Sequence, residues 1–345
     1  MEPARRVLCI KLKHIGDVLL MTPAVAALRR AWPGCAIAAL VPRGTEAMLA
    51  HNPDVASVIP FDRHAGAAGT WRAVRAVRRF GPDLVLEMGQ GDREAVLGWL
   101  SGARERVGYA PGRSGGWRRV LLTRKVPWNG EQHMVETNLD LVRACGIAAP
   151  GSRPVLVVPP ETRARMAARL VAAGAPAHRP LIVIHPVSRW LFKAWPEPAC
   201  AAVLASLASR GGAAIAVTSG PDAREVDAAR RIVARAGVPV IDLVGQTSLT
   251  ELAAVLERAV LFLGVDSAPM HMAAALKTPV VALFGPSDHR VWHPLTPQGR
   301  IIVKTPEFGC IPCNQDGCQG SKRSACLEAV SVDEVFHAIR DARGA

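Results

Sequence analysis

The sequence predicts an α/β protein made of two doubly wound domains that face each other across a cleft. Three observations carry this expectation. Short apolar runs alternate with longer amphipathic ones, the pattern of a parallel sheet covered by helices. At 345 residues the chain is too long for one ordinary core, so two are expected. A break rich in proline and glycine, residues 149–160 (APGSRPVLVVPP) and 174–180 (GAPAHRP), interrupts the alternation, which then restarts. In such folds ligands bind beyond the carboxyl ends of the strands, which here border the cleft.

The elements follow in order. Strands are expected at Val7–Leu12, Ala36–Val41, Val58–Phe61 and Leu84–Glu87. A helix begins at Thr22-Pro23, a capping residue followed by proline at the first helical position, and stops near Pro33-Gly34. Another covers Trp71–Phe80 and ends before Gly81-Pro82. One helix, Glu161–Ala173, lies inside the break. The second half then runs strand Leu181–His185, helix Glu197–Arg210, strand Ala214–Thr218, helix Ala223–Ala236 and strand Val240–Asp242. It continues with helix Leu249–Ala259, strand Leu261–Val265, helix Pro269–Leu276 and strand Val280–Phe284. The expected division is a first domain over 1–155, a linker region over 156–178 and a second domain over 179–345 that ends in a helix.

Composition narrows the function classes. Half the residues are hydrophobic and 21% are charged, which fits a globular chain. No window reaches the roughly 18 consecutive apolar residues of a membrane-spanning helix. The apolar N-terminal run is interrupted by Lys11, Lys13, His14 and Asp17, so it reads as a buried strand and its loop rather than a signal peptide. A cytoplasmic location is expected. The net charge is +13, and the densest basic stretch, Arg104 to Lys125, holds seven basic residues against Glu105 alone. Such a stretch is ordinarily a solvated face; its functional readings are an anionic membrane surface, a phosphorylated substrate or nucleic acid. Nucleic acid is not expected as a partner, because no binding module is recognisable and Tyr109 is the only tyrosine for stacking.

Three loops could carry chemistry. Lys11-Leu-Lys-His-Ile-Gly-Asp17 follows the first strand and brings a carboxylate to the carboxyl edge of the sheet, with basic neighbours that hold it ionised. A lone Asp there is also an ordinary cap. His185-Pro-Val-Ser188-Arg189-Trp-Leu-Phe-Lys193 follows the first strand of the second half; Ser188, Arg189 and Lys193 are donors suited to a diphosphate. Gly264-Val-Asp266-Ser267-Ala268-Pro269-Met-His271 combines a strand end, an acid and a proline-initiated helix, with Phe284-Gly285-Pro286 closing beside it. Helix-start amides attract anions and Asp266 can accept from sugar hydroxyls, although a plain cap and a packed core histidine give the same pattern. The absence of GxGxxG after the first strand and of any GxxxxGK[ST] argues against nicotinamide and P-loop enzymes.

Eight cysteines divide into two groups. Cys9, Cys35, Cys145 and Cys200 sit among apolar residues and read as buried thiols. Cys310, Cys313, Cys318 and Cys326 cluster near the C-terminus. Their spacing leaves open a zinc site or a set of reduced thiols, since the second pair lacks CxxC spacing and no histidine stands in register.

Taken together, KLKHIGDVLLMTPAVAAL, HPVSRWLFKAW and GVDSAPMHMAAALKTPVVALFGPSD resemble glycosyltransferase family 9, the ADP-heptose:lipopolysaccharide heptosyltransferases, from Val7 to the helix near Val332–Ile339. HPVSRWLFKAW is most similar to the heptosyltransferase III branch. The resemblance implies a GT-B fold of two Rossmann-like domains, the first binding acceptor and the second the nucleotide sugar. It implies metal-independent inverting transfer from ADP-heptose to the inner core of lipopolysaccharide, without a cofactor. Asp17 matches the general base, Lys193 the lysine that neutralises the leaving diphosphate, and Asp266 the acid that contacts donor sugar hydroxyls. Ser188, Ser267, Ala268 and His271 match the diphosphate and sugar shell, and Thr247 a position beside the base; Arg189 and Gly285 are counted with the donor site. Within the basic stretch, Arg113, Arg118 and Arg119 are assigned to the acceptor or to the inner face of the inner membrane, where peripheral attachment is expected. A transferase for another nucleotide sugar, an epimerase on the same scaffold and a non-catalytic sugar-nucleotide or lipopolysaccharide binder are the competing readings.

Overall fold

The computed structural model describes residues 2–110 and 116–343. The chain divides into two compact units, Met1–Val157 and Val158–Ala345, each holding one six-stranded sheet.

The first unit runs β1 (Arg6–Ile10), α1 (Ile15–Leu19), α2 (Thr22–Ala31), β2 (Ala36–Pro42), β3 (Ser57–Phe61), α3 (Gly66–Phe80), β4 (Leu84–Glu87), α4 (Asp92–Leu100), β5 (Glu105–Ala110), α5 (Gly116–Leu121), β6 (Arg124–Pro127) and α6 (Met134–Arg143). Its strands are all parallel in the order β3-β2-β1-β4-β5-β6. Chain direction therefore reverses between β1 and β4, where Leu8 pairs with Val85 and Ile10 with Glu87. A ligand site belongs at the carboxyl ends of these two strands. Leu8, Ile10, Leu40, Val77 and Val85 form the core on one face of the sheet. Proline in the first turn starts α2, and Gly81 ends α3 in the left-handed conformation at φ 64°.

The second unit runs α7 (Pro160–Ala172), β7 (Leu181–His185), α8 (Glu197–Ser209), β8 (Ala214–Ser219), α9 (Ala223–Ala236), β9 (Ile241–Val244), α10 (Leu249–Arg258), β10 (Leu261–Val265), α11 (Ala268–Ala275), β11 (Val280–Phe284), α12 (His289–Trp292), β12 (Gly299–Val303), α13 (Ala325–Glu328) and α14 (Val332–Arg343). The parallel order β12-β11-β10-β7-β8-β9 repeats the winding of the first sheet, with its reversal between β7 and β10. β7, β8, β10 and β11 are buried at every position, as strands covered on both faces must be. α10 starts with a capping box in which the Ser248 hydroxyl accepts from Glu251 N–H and the Glu251 carboxylate accepts from Ser248 N–H.

Several expectations shift. The strand expected to reach Leu12 stops at Ile10, and five residues of what was read as loop form α1. β5, β6, β12, α4, α5 and α6 were not anticipated. β6 buries only Val126 and β12 buries no residue fully, so neither carries an apolar run. The region 156–178, expected as a linker, is mostly α7, which packs on α10 through ion pairs Arg163–Glu257 at 2.6 Å and Arg165–Glu251 at 3.1 Å. Cys9, Cys35, Cys145 and Cys200 are all buried, as their apolar settings predict.

Candidate functional site

In the second unit, β7 and β10 pair so that His185 lies opposite Gly264. The loops that leave these two strands carry most of the residues singled out in the sequence. After β7 the chain folds into a short 3-10 turn, Leu191–Lys193. Buried Ser188 donates its hydroxyl to the Trp190 carbonyl at 2.9 Å and so fixes the path of this turn. Lys193 Nζ then lies 2.6 Å from Asp266 Oδ2 and 4.9 Å from the centre of the Trp190 ring. Asp266 is held in turn by its N–H, which donates to the Leu283 carbonyl at 3.2 Å. The Ser267 hydroxyl donates to the Val265 carbonyl at 3.1 Å rather than accepting from the start of α11. The positive end of α11, which begins at half-buried Ala268, is left without a side-chain cap beside Asp266.

A pocket of about 280 Å³ opens next to this pair, lined by Trp190, Phe192, Lys193, Ser287, Trp292 and Asn314 among others. Aromatic walls around an ammonium and amide and hydroxyl donors suit a flat heterocycle carrying phosphate. Trp292 was not singled out from the sequence; buried His271 meets it edge-on, with centroids 6.4 Å apart. His185 is a core residue. Burial pushes its imidazole down to about 4, and Nδ1 lies 2.9 Å from Thr218 Oγ1.

The remaining donor-site residues are placed differently. Gly285 is explained by packing, because a Cβ there would lie 2.7 Å from two carbons of Leu327. Arg189 is exposed and its charge acts on Glu225 at the start of α9. Thr247 follows β9, two strands from β7, and is half-buried.

In the first unit, Asp17 sits in the first turn of α1 with its side chain 11% exposed. One carboxylate oxygen accepts from His14 N–H at 3.3 Å, and the other lies 3.6 Å from Lys11 Nζ. Lys11 is itself buried, donating to the Met88 carbonyl at 2.8 Å and to Asn138 Oδ1 at 3.3 Å. Burial lowers the Lys11 ammonium below the usual lysine range, while Asp17 and Glu94 pull it back up. Asn138 also donates to the Leu20 carbonyl at 2.9 Å, tying α6 to the segment after α1. Sequence reasoning missed Asn138; its signal is an amide on the buried face of an amphipathic helix.

The basic stretch requires a correction. Arg118 does not face outward: it is buried, its guanidinium lying 3.8 Å from both Glu87 and Asp92 and donating to the Gln90 carbonyl at 2.6 Å. It offsets the fully buried Glu87, whose carboxyl burial pushes up to about 7. Arg119 is exposed, and Arg113 lies outside the described residues.

Cys310 and Cys318 are exposed, Cys313 is half-buried and Cys326 is buried facing Gly285. Among the described residues no three His, Cys, Asp or Glu side chains form a group that could hold a metal ion. All four thiols are free, and Cys318 Sγ accepts from Ala325 N–H at 3.4 Å.

The sequence profile of glycosyltransferase family 9 (heptosyltransferase) matches residues 70–323. The chain belongs to this family. It is 31% identical over 287 residues to lipopolysaccharide heptosyltransferase 3 of Escherichia coli, covering 81% of this chain and 83% of that protein. Among solved structures it is similar to a family 9 glycosyl transferase from Veillonella parvula, with TM-score 0.87, 21% identity and 99% and 98% of the two chains covered. It is also similar to E. coli ADP-heptose lps heptosyltransferase II, with TM-score 0.79, 21% identity and 98% of each chain covered. The heptosyltransferase III resemblance of HPVSRWLFKAW thus agrees with the curated relative, and the fold is the expected α/β GT-B class. Among the described residues, no helix of this heptosyltransferase is long and apolar enough to cross a membrane.

Proposed function

We propose that this heptosyltransferase transfers a heptose from ADP-heptose to the inner core of lipopolysaccharide, with inversion and without a metal ion. The observation that carries the reading is the Lys193–Asp266 pair, 2.6 Å apart at the strand reversal of the second sheet and beside an aromatic pocket. The names of the relatives support the donor and acceptor: one acts on lipopolysaccharide, and another is described by ADP-heptose.

The adenine stacks in the pocket, the diphosphate meets Lys193 Nζ, the Ser188 loop and the start of α11, and Asp266 accepts from heptose hydroxyls. Asp17 takes the proton of the acceptor hydroxyl as its oxygen attacks the anomeric carbon. The bond from that carbon to the diphosphate oxygen breaks on the opposite side, ADP departs, and the configuration inverts. Lys193 and the helix end supply the charge stabilisation that a metal ion supplies elsewhere. Lys11 Nζ, 3.6 Å from Asp17 Oδ1, and His14 N–H, 3.3 Å from Oδ2, orient the carboxylate. The reaction takes place in the cytoplasm, at the inner face of the inner membrane.

The test is a donor panel on purified core acceptor in excess chelator. ADP-heptose should turn over and UDP- and GDP-sugars should not. Turnover of another nucleotide sugar alone refutes the donor, and activity that is lost in chelator and restored by magnesium refutes metal independence.

A further inference from the structure

The helix α5 is turned inside out. Its Arg118 points into the first unit, 2% exposed, toward Glu87, whereas Trp117 and Val120 are 49% and 81% exposed. A surface helix ordinarily buries its apolar stripe and exposes its charges. Residues three apart share a helix face, so Trp117 and Val120 form one outward apolar face. The inversion has a physical cause: Glu87 is fully buried at the end of β4 and needs a cation, and α5 supplies it by rotating Arg118 inward.

The surroundings of this face are basic. Arg119 on the same helix is exposed, as is Lys125 in β6, the edge strand of the sheet, which pairs with Gly108 on the face that α5 covers. Among the described residues neither of these two forms an ion pair. On α4, which packs against α5, Trp99 is 54% exposed.

We propose that α5 and the adjoining edge strand form a membrane-docking face that seats on an anionic phospholipid surface. Trp117 and Val120 enter the interfacial layer, where an indole places its ring among the acyl carbons and its N–H among the headgroups. Arg119 and Lys125 meet the lipid phosphates. The cations decide between occupants. A second copy docked on the same patch would set these unpaired cations against their own counterparts. An anionic surface neutralises them. The proposal rests on the reading that the acceptor is lipid-anchored, because it supplies the means by which the enzyme reaches such a substrate.

The test is co-flotation of the full chain with vesicles of phosphatidylcholine, alone or mixed with phosphatidylglycerol, and free of any acceptor. Wild type should float with the anionic vesicles and at least about tenfold less with the zwitterionic ones. A Trp117→Ser/Val120→Ser double variant should partition about tenfold more weakly at every salt concentration. An Arg119→Gln/Lys125→Gln double variant should lose binding at low salt and differ little from wild type at high salt. Thermal melting at the wild-type temperature verifies that each variant is folded. Absence of wild-type flotation, or wild-type flotation by both variants, overturns the proposal. So does a wild-type dimer that Trp117→Ser dissociates. Because the vesicles hold neither donor nor acceptor, failure of ADP-heptose turnover leaves this result standing, and the two readings fail separately.

Discussion

Lys193 Nζ and Asp266 Oδ2 stand 2.6 Å apart although 73 residues separate them in sequence. Each comes from the loop after one of the two strands that flank the reversal of the second sheet. In the proposed donor site a diphosphate at Lys193 would compete with Asp266 for the ammonium and leave Asp266 free to accept from sugar hydroxyls. On that reading the pair would couple diphosphate binding to sugar binding.

Lys193→Ala should therefore weaken ADP about tenfold to a hundredfold, the range of one charged contact at about 1.5–3 kcal/mol, and leave adenosine nearly unchanged. Calorimetry on both ligands checks this. Equal losses for ADP and adenosine would remove Lys193 from the diphosphate site. In Asp266→Asn the ammonium loses its competitor, so ADP should bind as well as or better than in wild type, while ADP-heptose turnover falls.

Arg118 and Arg119 are neighbours in sequence and opposites in structure. Arg118→Ala leaves Glu87 buried without its cation and should destabilise the chain by about 3–5 kcal/mol. Arg119→Ala removes an exposed charge and should stay within about 0.5 kcal/mol. Urea denaturation of the two variants separates them, and similar midpoints would mean that Arg118 is not the buried partner of Glu87.

Glu87 also sets a pH dependence. Its carboxyl is raised from 4.5 to about 7, chiefly by burial and against the pull of Arg118. The folded state thus binds a proton that the unfolded state releases. The contribution is complete below about pH 4.5 and fades as the pH rises through 7. Glu87→Gln should remove this slope and gain stability on wild type across that window, by up to about 3 kcal/mol. Parallel stability curves from pH 4.5 to 8 would contradict it. His185 acts in the opposite sense: its imidazole, lowered from 6.5 to about 4, costs stability as the pH falls through that interval. The comparison must therefore be between variant and wild type at each pH.

Much of the second unit was legible because its strands are buried on both faces. LIVIH, LFLGV and VVALF are unbroken apolar runs, and the structure keeps the bounds read for them, Leu181–His185, Leu261–Val265 and Val280–Phe284. The edge strands β6 and β12 hid themselves by mixing arginine, lysine and glycine with few buried positions. α1 escaped because five residues are too few to show a helical period. Ser188, Lys193, Asp266 and Ser267 were recognisable by residue type and loop position, but not the ion pair that joins two of them. A count of charges along Arg104–Lys125 could not reveal that Arg118 turns inward, since its partner Glu87 lies outside that stretch, at the end of β4.

The central claim is that Asp17 is the base of a heptosyl transfer from ADP-heptose. Turnover of Asp17→Asn with ADP-heptose and purified core acceptor, alongside its affinity for ADP, tests it most directly. The account predicts a fall of at least about a hundredfold in turnover, the scale of general-base loss, with ADP affinity unchanged. Turnover within a few-fold of wild type would contradict it and leave Asp17 as no more than the residue that caps α1 through His14 N–H.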